Sequence, residues 1–247
     1  MNPPFPKEIS PSPIVSATVE IRFVSDLKEG EVLDFFYRHF STILPKAKGN
    51  QPPLPLPVFK TLSPQFKYWA DYILNNDEYS MSIGRNIVGF GIKRDYTLWS
   101  NYYQFVKNCI EKLFSSNRVK KIERIGIRYI NVFQNENSIE GFLDSGLRLP
   151  YPESGYSLEN ERFSTNATRD DVNILLQVAE KAQIKKDDNT TVKGVLLDVD
   201  AFQNQNLPTT FEENVINIID KLHQEAKTIF FLSLNSDYVK EKYRLQY

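Results

Sequence analysis

Residues 14–24, IVSATVEIRFV, alternate apolar and polar side chains with little interruption. Val15, Ala17, Val19, Ile21 and Phe23 fall on one side; Ser16, Thr18, Glu20 and Arg22 fall on the other. A period of two with β-branched residues on the apolar side predicts a half-buried strand. A second long stretch, VKKIERIGIRYINVFQ (119–134), also reads as a strand. Strict alternation puts Ile122, Arg124, Gly126, Arg128 and Ile130 on one face and Glu123, Ile125, Ile127, Tyr129 and Asn131 on the other. Both strands carry arginine, so a sheet with one polar face is the expectation.

Working outward, the spacing changes to that of helices. GEVLDFFYRHF (30–40) sets Val32, Phe35, Phe36 and Phe40 along one stripe. YTLWSNYYQFVKNCIEKLF (96–114) does the same with Trp99, Tyr102 or Tyr103, Val106, Ile110, Leu113 and Phe114. FEENVINIIDKLHQEAKTIFFLSL (211–234) is a long amphipathic helix, with Thr210 as N-cap and Glu213 completing a capping box. Glu212 and Glu213 also suit the positive end of its dipole. A short tail helix capped by Ser236 follows, over SDYVKEKYRLQY. Further strands are expected at 66–74 and 79–93, with turns at Asn75-Asn76-Asp77 and Arg85-Asn86, and at 159–169, 172–183 and 192–202. The last two flank a charged tip at 185–191. SIEGFLDSGLR, after the polar bend at 134–138, predicts a short helix and turn. Residues 1–13 and 44–58 are proline-rich, predicting an extended leader and a connector.

The fold class is α+β. Two related units, 1–137 and 138–247, each an antiparallel sheet with a long amphipathic helix on one face, are expected to pack as one compact body. The boundary falls in the polar stretch 134–158.

Composition narrows the function. Among 247 residues, 30 Lys+Arg against 31 Asp+Glu give a net charge of -1, which excludes a strongly basic nucleic-acid coat. One cysteine excludes an intramolecular disulfide framework and a multi-thiolate zinc site. Cys109 sits inside an apolar helix stripe and reads as core. No apolar run reaches the roughly 18 residues of a membrane span. The N-terminal MNPPFPKEISPSPIV lacks the apolar region of a secretory signal, so a cytoplasmic setting is expected.

Familiar catalytic patterns are missing. His39 and His223 join in no metal-ligand spacing, and no GxSxG elbow occurs. Gly84, Gly89 and Gly91 fit neither phosphate-loop pattern. His223, Asp220 and Glu225 read as solvated helix charges rather than a general-base cluster. Asp198 and Asp200 in VLLDVDAF (195–202) share a strand face and could hold Mg²⁺, with Asp170 or Asp171 as a third carboxylate. That pair supports an alternative, a metal-dependent enzyme acting on phosphodiesters. A second alternative is nucleic-acid binding, by Arg118, Lys120, Lys121, Arg124 and Arg128 beside Tyr102, Tyr103 and Tyr129.

The arginines carry the main expectation. A strand arginine needs a partner when it is buried. Glu20 can meet Arg22, or Arg128 across neighbouring strands, in a sheet-face ion network. The same face offers Arg22, Arg124 and Arg128 as fork donors to a phosphate or carboxylate. Tyr129 and Asn131, on the opposite face, would satisfy core polar contacts. The expected function is a non-catalytic binding or interaction protein with no cofactor. Its partner is another protein, a second copy of the chain being one candidate; nucleic acid is the alternative, and no membrane is involved.

PIVSATVEIRF (13–23) and RIGIRYINVF (124–133), with VLLDVDAF (195–202) and NVINIIDKLHQEAKTIFF (214–231), resemble a sporadically distributed bacterial family of uncharacterised function. Its members begin near PIVEAxxEIRF and carry RIGLRYIN midway; Ser16 stands where that family often has Glu. The resemblance runs in order along nearly the whole chain. It implies a cytoplasmic protein, often encoded among mobile or defence-associated genes, and a role as subunit of a defence or toxin-linked system. It implies no catalytic residues.

Overall fold

The computed structural model describes residues 5–50, 64–96, 98–134, 136–139, 143–144, 162–186, 190–208 and 212–247. The chain is α+β with a large antiparallel sheet, as the alternating segments predict. Among the described residues no helix is long and apolar enough to cross a membrane. In order come β1 (Glu8–Ser10), β2 (Ile14–Ser25), α1 (Val32–Phe40), β3 (Lys46–Gly49), a 3-10 turn (Pro64–Tyr68), β4 (Tyr72–Asn75), β5 (Tyr79–Gly84) and β6 (Ile87–Ile92). Then follow α2 (Trp99–Ser115), β7 (Val119–Gln134), β8 (Arg162–Arg169), β9 (Val172–Lys185), β10 (Thr191–Gln203), α3 (Glu212–Ser233), α4 (Ser236–Lys242) and β11 (Arg244–Gln246).

Two compact units interleave along the chain. One comprises Ala17–Ile127 and Phe202–Leu222; the other comprises Met1–Ser16, Arg128–Ala201 and His223–Tyr247. In the first, here the meander unit, β3, β4, β5, β6 and β2 are hydrogen-bonded in that order, each pair antiparallel. The first half of β7 follows β2. Ala17, Val19, Ile21 and Phe23 of β2 are buried, while Thr18, Glu20 and Arg22 between them are half-buried. Helix α2 covers the apolar side, burying Tyr102, Phe105, Val106, Cys109, Ile110 and Leu113. Phe105 stacks on Tyr79 of β5 and meets Phe90 of β6 edge-on. Helix α1 buries Val32, Phe35, Phe36 and Phe40, the stripe its spacing predicts.

In the second, here the termini unit, the latter half of β7 is followed by β10, β9 and β8. Strands β8 and β9 form a hairpin closed by Asp170 and Asp171, with Asp170 at φ 53°. A separate two-stranded sheet joins β1 to β11. Phe133 of β7 packs on Phe230 of α3 and on Tyr243.

Several boundaries differ from expectation, each for a local reason. Residues 66–71 are not strand: Pro64 opens a 3-10 turn, and the ladder begins only at Tyr72. Lys46–Gly49, expected within the connector, is strand β3 paired to β4. The tail helix stops at Lys242, because Arg244–Gln246 are claimed by the ladder to β1. Its N-cap is Asn235, whose side chain accepts from the Asp237 and Tyr238 amides, not Ser236. Most of the 44–58 connector, the Thr210 cap with Glu213, most of the helix expected at 138–148 and the centre of the 185–191 tip lie outside the described residues; Leu143, within that expected helix, is an isolated bridge partner of Leu234.

One side chain enters the sheet. The Tyr102 hydroxyl donates to the Phe90 carbonyl at 2.6 Å and accepts from the Val19 amide at 2.9 Å. Val19 and Phe90 are direct cross-strand partners, so the hydroxyl bridges β2 and β6. Burial pushes this phenol far above the ordinary tyrosine range, and it stays protonated to do so. Tyr102→Phe strands an amide and a carbonyl in the core. It is expected to lower unfolding free energy by about 1–3 kcal/mol in urea titrations; no loss would show that the strands close without the hydroxyl.

Candidate functional site

The meander unit has a polar sheet face opposite α2. Strand pairing aligns Glu20 with Gly89 and Gly89 with Ser82; one row along, Thr18 faces Gly91 and Gly91 faces Ser80. The β2 and β5 side chains thus stand two strand spacings apart, roughly 9–10 Å. Between them the two glycines form a floor. A Cβ at Gly89 would lie 2.5 Å from Ser82 Oγ, and one at Gly91 would lie 2.8 Å from Ser80 Oγ. The serine hydroxyls lean over backbone that only glycine leaves open. These glycines, which fit no phosphate loop, are therefore explained by sheet-face crowding.

Glu20 is the centre of this face. Its Oε1 accepts from Arg22 Nε at 2.7 Å and from Arg124 Nη1 at 2.8 Å. Arg22 and Arg124 are thereby brought together, on the strands whose adjacency the sequence left open. Each guanidinium also lies on an aromatic ring: Arg22 is 4.9 Å from the Tyr68 centroid and Arg124 is 4.5 Å from that of Phe202. Arg124 folds over Gly126, where a Cβ would stand 2.5 Å from its Nη1. Its side chain is 13% exposed, against 32% for Arg22. Among the described residues, the terminal nitrogens of Arg22 have no hydrogen-bond acceptor.

The alternation of β7 slips at this point. Ile122 and Ile125 are both buried, and Glu123 and Arg124 between them are both half-buried. One extra residue in the period returns Glu123 to the polar side. There it accepts from Lys67 Nζ at 2.9 Å and from the Tyr68 hydroxyl at 2.8 Å. Burial alone would raise the Glu123 pKa, but these donors outweigh it and hold the carboxyl below its ordinary range. Sequence reasoning missed Lys67, Tyr68, Glu123 and Phe202 as members of this face. A strict period of two put Glu123 on the other side, and nothing local ties residues 67–68 to β7.

The termini unit holds the remaining candidates. Arg128 grips Asp198 as a fork, Nε at 2.9 Å from Oδ1 and Nη2 at 2.5 Å from Oδ2. The Asp198 side chain is 6% exposed and that of Arg128 is 49%. Arg128 therefore meets Asp198, not Glu20. Asp200 is half-buried two residues on and has its own interaction. Among the described residues no three His, Cys, Asp or Glu groups gather as a metal site. Asn131 is buried and donates to the Leu197 carbonyl at 3.0 Å, the core contact its position predicts.

His223, Asp220 and Glu225 form no cluster, as expected, but the imidazole is largely buried rather than a solvated helix charge. Glu225 pairs with Arg169, Asp220 accepts from the Trp99 indole at 3.3 Å, and His223 Nδ1 lies 2.9 Å from the Tyr129 hydroxyl. Tyr102 and Tyr129 are buried, and Arg118 and Lys120 both pair with Asp26. Cys109 is buried in the core, its thiol pushed up to about 12 by burial. No protein-family model matches the chain, and no curated protein matches it.

Burial, with Lys227 second, lowers the His223 pKa to about 3. The imidazole is then neutral when folded and can accept from Tyr129. Unfolded, it takes up a proton below about 6.5. Its contribution to stability is complete above that pH and declines as pH falls toward the folded value. Between pH 6.5 and 5, where ordinary carboxylates remain ionised, the unfolding free energy should drop by about 1–2 kcal/mol. His223→Gln, which keeps an acceptor for Tyr129, should flatten that segment of the urea-derived profile; an unchanged slope would contradict a buried neutral imidazole.

Proposed function

We propose that this chain is a non-catalytic binding protein. In this proposal the polar face of the meander unit receives an acidic side chain of another protein. One observation carries it: Glu20 and Tyr68 fix the Nε and the plane of Arg22, while its two terminal nitrogens keep no hydrogen-bond acceptor among the described residues. A guanidinium so oriented is a preformed fork for a carboxylate, since its rotamer is fixed before binding. Lys67 and Arg124 add positive charge, and Glu20 and Glu123 balance two of the three cations. Thr18, Ser80 and Ser82 stand further along the same polar face, with hydroxyls that adapt to a peptide.

A protein partner is favoured over nucleic acid. The net charge is -1, and two of the three tyrosines suited to base stacking are buried. The metal-dependent alternative is less favoured, because the Asp198 carboxylate is occupied by Arg128. The strand-motif resemblance supplies the setting of the proposal: a cytoplasmic subunit of a defence or toxin-linked assembly. A common plan for the two sequence halves belongs to the same proposal, supported by an antiparallel ladder and a long helix in each.

Isothermal titration with hexaglutamate at low salt tests the fork, with oligothymidylate as the competing probe. Binding of the peptide is expected, with Arg22→Ala weakening it about tenfold, or ~1.4 kcal/mol, while urea unfolding shows the variant still folded under the titration conditions. Absent peptide binding, equal affinity of the variant, or preference for the oligonucleotide would each overturn the proposal.

A further inference from the structure

We propose that β8 is an interface strand, along which a second copy of this chain pairs antiparallel. Strand β8 closes one end of the hydrogen-bonded order in the termini unit, and β9 is its sole strand partner among the described residues. Seven of its eight residues are exposed. The outermost strand of the meander unit, β3, is four residues long and carries Lys46 and Lys48, charges that discourage pairing. Between Arg162 and Arg169, β8 reads FSTNAT, without charge or proline. It has the length of a pairing edge, and among the described residues its six central positions carry neither charge nor proline nor a covering strand.

The hairpin register says which backbone groups face outward. A two-residue loop makes Arg169 and Val172 a hydrogen-bonded pair. Alternation then turns Arg169, Ala167, Thr165 and Phe163 toward β9. The amides and carbonyls of Arg162, Ser164, Asn166 and Thr168 point to the open edge. An antiparallel partner must set outward residues opposite outward residues, so a self-pair has an even register sum. Arg162 can then never stand opposite Arg169 of the other copy. In the register centred on Thr165, Ser164 faces Asn166, Thr165 faces itself, and Arg162 faces Thr168. The neutral hydroxyl and amide side chains are self-complementary, and the two arginines fall on opposite faces.

The hairpin end is also held in place. Arg169 is paired with Glu225 of α3, and the Thr168 hydroxyl donates to Asn173 at 3.1 Å. The edge is therefore ordered before a second copy arrives. An extended acidic peptide would find only Arg162 and an Arg169 already engaged, so a neutral, self-matching strand fits better.

Sedimentation velocity of the full chain tests this. At about 100 μM, a weight-average mass approaching twice that of the chain is expected even for a Kd near ~10 μM. Asn166→Pro removes an outward amide and no ladder bond to β9, and should give a folded monomer. Should that variant fail to fold, Ser164→Lys with Asn166→Lys places lysines face to face on an intact backbone and should also give a monomer. A wild-type monomer at that concentration, or a dimer that survives the lysine pair, would overturn the proposal.

Discussion

One glutamate oxygen holds two arginines. Glu20 Oε1 lies 2.7 Å from Arg22 and 2.8 Å from Arg124, on a half-buried sheet face. Removing that carboxylate would leave two guanidiniums repelling each other on partly desolvated ground, a cost far above that of an exposed pair. The surrounding features follow from it. A side chain at Gly126 would displace the Arg124 guanidinium that lies across it, and one at Gly89 would displace the Ser82 hydroxyl. Tyr68 and Phe202 supply ring faces because a guanidinium pinned at one edge still needs its planes covered.

The opposite side of the same strands makes that geometry rigid. Val19, Ile21 and Phe23 are sealed against the helices, and Tyr102 bridges β2 to β6 one residue from Glu20. A register shift of one residue would turn every charge inward, so the apolar face fixes where the charges stand. Packing on one side thus orients Arg22 on the other, with its Nε held by Glu20.

Much of this was legible in the residues. The alternation of 14–24 and the helical spacing of 30–40 and 96–114 describe the elements they form, because periodicity directly reports which face is buried. The glutamate–arginine network was also legible in kind. Its wiring was not: Glu20 takes Arg124, and Arg128 takes Asp198, since the choice depends on strand registers that no local signal specifies. The slip in β7 hid Glu123, because an extra residue leaves no mark on composition. The aromatic residues Phe66, Tyr68 and Trp69 suit a ladder, and only the turn beginning at Pro64 overrides that propensity. Nothing local marks residues 244–246 as strand, because their partners Glu8–Ser10 lie at the far end of the chain.

A double-mutant cycle between Glu20→Gln and Arg124→Met, followed by urea unfolding, addresses the shared carboxylate most directly. A shared, half-buried carboxylate predicts a coupling of about 1–3 kcal/mol between the two positions. Additive losses, agreeing within about 0.5 kcal/mol, would contradict it.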